Sequence, residues 1–155
     1  MSDAIVVCGN SGYQNLTAIG VGVQELNDSN TCGSEENNSL WFKLTINTAG
    51  NLGFTLTPTD EFGTTNPNLF VDFDFFLFGP NVNCGNIGQA IRCSTTNPLA
   101  AGSSSNLTGM NSTETDTAEG PGADGNNFVS DLDVTAGESY FLVIDRPIGT
   151  SNFKI

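Results

Sequence analysis

The chain has 155 residues, with 4 Lys or Arg against 17 Asp or Glu and no His, and its formal net charge is −13. This length suits a single domain spanning 1–155. So acidic a chain would repel nucleic acid, because its few basic side chains cannot neutralise a run of phosphates. The absence of His excludes imidazole metal ligands and every catalytic pair in which His activates a nucleophile.

Short apolar runs separated by Gly, Asn, Ser and Thr predict an all-β protein, since no run shows the 3.6-residue period of a helix. We expect 39–46 and 52–57 to form a hairpin through the turn at 49–51. About eight strands with connections of varied length predict a two-sheet antiparallel sandwich of the jelly-roll type. The predicted strands, in chain order, are 16–23, 39–46, 52–57, 71–78, 88–92, 127–134, 139–145 and 151–155.

The four cysteines, Cys8, Cys32, Cys84 and Cys93, form no Cys-x-x-Cys pair of the kind found in structural zinc sites. Four cysteines allow three sets of disulfides, and short loops favour Cys8–Cys32 with Cys84–Cys93. Buried free thiols are the alternative. Disulfides together with the acidic composition predict an extracellular or cell-surface protein. No segment has the roughly 20 apolar residues that a membrane span requires.

The strand predicted at 71–78 places two carboxylates, Asp72 and Asp74, on one face and apolar side chains on the other. Phe76 and Phe78 continue the carboxylate face, so this face is not simply solvated. Two carboxylates beside aromatic rings repel each other and need a compensating partner. Calcium is the preferred partner because it accepts six to eight oxygen ligands without strict geometry. Backbone amides of a folded-over loop, Arg92 and Arg146 are the other candidates.

Three further acidic residues are candidates for the same site: Asp145 at the end of a predicted strand, Glu119 in the long segment 94–126, and Glu36 before the Trp41 strand. The predicted calcium ligands are therefore Asp74 and Asp145, followed by Asp72, Glu119 and Glu36. Two alternatives stay open at this stage. Asp74 and Asp145 would instead cap loop amides, or a carboxylate pair would be catalytic.

The segment 94–126 exceeds the length of about 12–15 residues at which a connection is usually functional or disordered. We expect it to be an ordered loop that calcium ties to the strand carboxylates. Trp41 is the single Trp, and it is either a core residue or a surface on which a sugar ring stacks.

Four stretches resemble modules of large secreted proteins of Bacteroidetes, namely gliding-motility-associated and adhesin-like proteins of the type IX secretion system. They are ENNSLWFKLTI (36–46), DFDFFLFGPNVNCGNIGQAIRCS (72–94), TDTAEGPGADGNNFV (115–129) and GESYFLVIDRP (137–147). The resemblance implies an extracellular β-sandwich comparable to bacterial pre-peptidase C-terminal and CUB/MAM-like domains, some of which bind calcium. By position, Asp74 and Asp145 match the strand aspartates of these modules, and Glu119 matches the loop acid.

The functional expectation is a calcium-stabilised module, without enzymatic activity, in a secreted or cell-surface adhesin or fibre protein. We expect no hydrolytic activity because the sequence has no recognisable pairing of nucleophile and base. The alternative is a carbohydrate-binding module of an exported polysaccharide-degrading enzyme. The resemblance further implies that the chain is a segment of a longer protein. The expected partners are neighbouring domains of the same polypeptide and surface glycans.

Overall fold

A computed structural model describes residues 4–7, 9–10, 12–83 and 85–155. Over these residues the chain forms twelve strands and no helix, which confirms the predicted all-β class. The strands are β1 Ile5–Val7, β2 Ser39–Thr45, β3 Gly50–Leu52, β4 Phe54–Thr59, β5 Asp72–Phe78, β6 Arg92–Ser94, β7 Thr108–Asn111, β8 Ala118–Glu119, β9 Phe128–Ser130, β10 Leu132–Val134, β11 Ser139–Ile148 and β12 Asn152–Lys154.

The strands form a large sheet, a small sheet and a separate strand pair, packed as a β-sandwich. The large sheet has six strands in the order β1-β2-β11-β5-β6-β8, and the small sheet has four in the order β12-β4-β7-β9. Strands β10 and β3 make the separate pair. In the centre of the large sheet β11 is antiparallel to both β2 and β5. No helix in the described part of the chain is long and apolar enough to cross a membrane.

Alternation along β5 creates two cores, one on each face of the large sheet. Phe73, Phe75 and Leu77 point into the main core between the large and small sheets. Phe76 and Phe78 point to the outer face, where they pack in a second core. Two covering segments close the second core. One contributes Leu26 and Cys32, and the other contributes Val82, Ile87 and Ala90. All seven residues of β5 are buried for this reason.

The predicted hairpin between 39–46 and 52–57 is wrong. Strand β2 pairs with β1 and β11 in the large sheet, whereas β4 pairs with β12 and β7 in the small sheet. The chain crosses the sandwich between these strands, which lets Phe42 of β2 and Leu56 of β4 share the main core. The same apolar alternation suits a hairpin and a crossing of this kind, so the sequence pattern does not distinguish them.

Three other strand predictions are also corrected. The single strand predicted at 127–134 is two strands, β9 and β10, which belong to different sheets. Residues 16–23 form no strand; only Leu16 makes a bridge, to Phe153, before the chain continues as a covering segment. The weak strand predicted at 88–92 is found instead at 92–94 as β6.

The long segment 94–126 is ordered by strands and buried amide side chains. It contains β7 and β8, so it is not one continuous loop. The Nδ2 atom of Asn106 donates to the carbonyls of Asn66 at 2.9 Å and Asn68 at 3.0 Å. Just beyond the segment, Asn127 Nδ2 donates to the carbonyl of Ser105 at 3.1 Å. These hydrogen bonds hold the segment against the rest of the fold.

Candidate functional site: buried carboxylates on the outer face

Three aspartates lie together at one end of the second core. Asp72 and Asp74 are on β5, and Asp145 of β11 is directly opposite Asp74 in the antiparallel ladder. All three side chains point to the outer face, as Phe76 and Phe78 do, because alternate residues of a strand lie on the same face of the sheet. Their exposed fractions are 4% for Asp72, 2% for Asp74 and 0% for Asp145. This confirms the predicted placement of the two β5 carboxylates beside aromatic rings.

Asp145 caps the loop that covers the site. Its Oδ1 atom accepts hydrogen bonds from the backbone N–H groups of Asn37 at 2.8 Å and Asn38 at 2.7 Å. Its Oδ2 atom accepts a third hydrogen bond from Asn37 Nδ2 at 3.1 Å. Burial raises the pKa of Asp145, and these three hydrogen bonds oppose that rise. The predicted amide-cap alternative therefore describes Asp145, whose oxygens are already engaged by the loop.

Asp72 and Asp74 each have one carboxylate oxygen without a hydrogen-bond donor in the part of the chain that the structure describes. No described residue donates a hydrogen bond to the Oδ1 atom of either side chain. The Oδ2 atom of Asp72 accepts from Asn97 Nδ2 at 3.1 Å, and the Ser34 side chain interacts with Asp74 in the direction that lowers its pKa. Buried acceptors without donors are uncommon in native proteins, so these two oxygens are the unusual feature of the site.

Burial is also the main cause of the shifted acidity of both side chains. It raises the pKa of Asp72 to about 7, with a smaller contribution from the charge of Asp145. The pKa of Asp74 is raised well above its ordinary value by burial and, next, by the charge of Asp72. Both shifts favour the protonated carboxylic acid unless a cation offsets the loss of solvation.

The two arginines considered as partners make other contacts. Arg92 donates to three backbone carbonyls at distances of 2.8 to 3.0 Å. Arg146 donates through Nη1 to the carbonyl of Ser151 at 3.1 Å, and no described residue accepts a hydrogen bond from its buried Nε atom. The hydrogen bonds that these two side chains make in the described structure therefore go to backbone carbonyls.

Glu36 stabilises the covering segment by hydrogen bonds at both carboxylate oxygens. Its Oε1 atom accepts from Trp41 Nε1 at 3.0 Å and from the hydroxyl of Ser39. Its Oε2 atom accepts from the backbone N–H of Glu25 at 3.0 Å. Because both oxygens are engaged, the structure supports a structural role for Glu36 and not the predicted ligand role.

Trp41 is part of the second core. Its exposed fraction is 8%, and its ring stacks on Phe78 with the ring centroids 6.4 Å apart and the ring planes 11° from parallel. Phe141 packs edge-on against the same ring at a centroid distance of 6.3 Å. The core interpretation of Trp41 is therefore supported over the sugar-stacking one.

Glu119 is on the other face of the large sheet. It is opposite Ser94 in the β6–β8 pair, and Ser94 is opposite Phe75, whose side chain lies in the main core. Burial is the main cause that raises the pKa of Glu119 to about 7, and the interaction with Asp116 is the next. The negative charge of Glu114 acts in the same direction. Glu119 was predicted as a ligand beside Asp74, but strand parity separates the two side chains.

The five predicted ligands therefore do not form one centre. In the part of the chain that the structure describes, no group of three or more His, Cys, Asp or Glu side chains is arranged to hold a metal ion. Of these five, Asp72 and Asp74 each have a buried oxygen to which none of the described residues donates a hydrogen bond. Sequence reasoning did not identify Ser34 and Asn97 as their partners, because residues so far away in the sequence meet only through folding.

Two thiols are found close to the same site. Cys32 and Cys93 are free thiols. The interaction between their side chains lowers the pKa of the Cys32 thiol and raises the pKa of Cys93. Cys8 and Cys84 lie outside the described residues, so the predicted pairs Cys8–Cys32 and Cys84–Cys93 stay predictions.

Comparisons with protein-family models, with curated proteins and with solved structures found no match to this chain. Chemically, Asp72 and Asp74 offer two buried hard oxygen donors, which suits a hard cation or a pair of neutral carboxylic acids.

Proposed function

We propose that the chain is a non-catalytic β-sandwich module of a secreted or cell-surface bacterial adhesin or fibre protein, stabilised by calcium at Asp72 and Asp74. The observation that carries the calcium part is the pair of buried Oδ1 atoms to which no described residue donates. The sequence resemblance to Bacteroidetes surface modules and the net charge of −13 support the location. Neighbouring domains of the same polypeptide would be the partners of such a module.

The chemistry of the two aspartates suits calcium. Carboxylate oxygens are hard ligands, and a bound Ca²⁺ would supply the positive charge that Arg92 and Arg146 direct elsewhere. Asp72 and Asp74 would be the protein carboxylates, and water and backbone carbonyls would complete the coordination. Because calcium binds ionised carboxylates, its binding would release protons that burial otherwise retains on these side chains.

Calorimetric and thermal measurements test this proposal. Calcium chloride titrated into chelator-treated protein at pH 7.5 should produce binding heat. A hundredfold excess over Kd should stabilise the fold by about 2.7 kcal/mol, equivalent to a rise in Tm of roughly 5–10 °C. Asp74→Asn should abolish both the heat and the Tm shift. Asp28→Asn is the matched control because it makes the same charge change at an exposed side chain.

The calcium part is refuted if chelator and calcium give the same melting curve in the unmodified protein. The module part is tested separately. Antibody against the chain should label intact cells of its source organism, and turnover of glycan or peptide substrates by the purified chain would contradict the non-catalytic assignment. The carbohydrate-binding alternative has weaker support because Trp41 is buried, and saturable binding to a glycan array would favour it.

A further inference from the structure

Cys32 and Cys93 belong to different layers of the fold, yet their side chains meet. Cys32 is in a segment that covers the outer face, and it packs against the second core. Cys93 is on β6 opposite Phe76, so its side chain points to the same outer face. Both side chains pack in the second core, and the Sγ atom of Cys32 is 3.9 Å from the hydroxyl oxygen of Thr95, two residues from Cys93.

Thr95, which directly follows β6, holds the Cys32 backbone in place. Its hydroxyl donates to the carbonyl of Cys32 at 3.0 Å, and the Sγ atom of Cys32 is 3.9 Å from that hydroxyl oxygen. Thr95 has the parity of Cys93 on the outer face, two residues further along the chain. The covering segment is therefore docked against the end of β6, with the Cys32 side chain on the face of the sheet to which Cys93 points.

We infer that Cys32 and Cys93 form a disulfide in an oxidising environment and thereby lock the covering segment onto the large sheet. This is a different pairing from the one that loop length favours. It leaves Cys8 and Cys84, which lie outside the described residues, as the remaining pair. The inference does not depend on the calcium proposal, because it follows from the position of the thiols alone.

Thiol–disulfide exchange with a small-molecule disulfide such as oxidised glutathione accounts for the bond. Cys32 is partly exposed and Cys93 is 3% exposed, so the Cys32 thiolate attacks first. This step forms a mixed disulfide and releases one glutathione thiolate. The Cys93 thiolate then attacks Cys32 Sγ, forms the protein disulfide and releases the second glutathione thiolate. The two cysteines lose two electrons to the reagent, and their two protons pass to the glutathione thiolates.

A variant with only these two cysteines gives the direct test. Cys8→Ser with Cys84→Ser, incubated with oxidised glutathione, should lose the mass of two hydrogen atoms and show no reactive thiol after denaturation. Its Tm should rise by about 10 °C, since the cross-link closes a long loop, and a reductant should reverse the rise. The control adds Cys93→Ser to this variant, and it should retain a glutathione adduct on Cys32 with no rise in Tm.

The inference is overturned if the two-cysteine variant keeps two free thiols or accumulates only glutathione adducts. Peptide mapping of the unmodified chain without reduction provides a second test that does not depend on the folding of the variant. A cross-linked peptide pair containing Cys32 and Cys93 supports the inference. Cross-links Cys8–Cys32 and Cys84–Cys93, or free thiols at Cys32 and Cys93 after oxidation, refute it.

Discussion

Replacing Asp145 with Ala should release the loop that covers the buried carboxylates. The substitution removes the acceptor of the Asn37 and Asn38 backbone N–H groups, which donate at 2.8 and 2.7 Å, and of Asn37 Nδ2 at 3.1 Å. A buried donor left without an acceptor costs about 1–3 kcal/mol. Because the loop is partly exposed and water can replace some bonds, we expect a total loss of about 2–5 kcal/mol.

Asp145→Asn is the informative companion variant. Both backbone N–H groups donate to the same oxygen, Oδ1, so an Asn side chain can keep these two hydrogen bonds. Only the bond to Asn37 Nδ2 is lost, and the removal of a buried charge offsets part of that loss. The expected destabilisation is about 1 kcal/mol or less.

Urea unfolding followed by the fluorescence of Trp41 measures both variants. Trp41 is the single Trp and is buried in the second core on the same face as Asp145, so its emission should report loss of that core. The midpoint should fall much further for Asp145→Ala than for Asp145→Asn. Equal losses in the two variants would refute the reasoning, because they would show that the charge, and not the acceptor oxygen, stabilises the loop.

Two further predictions concern backbone packing and pH. In chemical unfolding, Gly109→Ala should lower the free energy of unfolding by at least about 3 kcal/mol, because a Cβ atom would be 2.1 Å from the carbonyl oxygen of Phe54. Gly50→Ala is the control, since a Cβ atom there would meet open space, and it should change the free energy of unfolding by about 1 kcal/mol or less. Equal effects of the two substitutions would contradict this. The pKa of Asp72 is raised from 3.8 to about 7, so the folded state binds more protons than the unfolded state between these values. In the presence of chelator, Tm should therefore fall as pH rises from about 5 to 8, and Asp72→Asn should make Tm depend less on pH. A Tm that rises over this range would contradict the interpretation of Asp72 as a buried, protonated acid.

The sequence alone determined the all-β class and the two faces of β5, because both follow from local periodicity. Alternating residues of an extended chain point to opposite sides whatever the rest of the protein does. The sequence therefore correctly placed Asp72 and Asp74 on the same face as Phe76 and Phe78. It also indicated that two such carboxylates need a compensating group when buried. The position of Asp145 opposite Asp74 required the register of β11, which the sequence does not encode in any short segment.

Only the tertiary structure decided which distant residues meet. The alternation in β2 and β4 was correct, but their assignment to one hairpin was wrong, since the same pattern serves two strands that face each other across a core. Parity within the large sheet placed Glu119 on the face opposite Asp74. The contact between Cys32 and Cys93 depends on how a long covering segment docks on β6. Strand order, register and docking are collective properties of the packed chain, and local composition does not specify them.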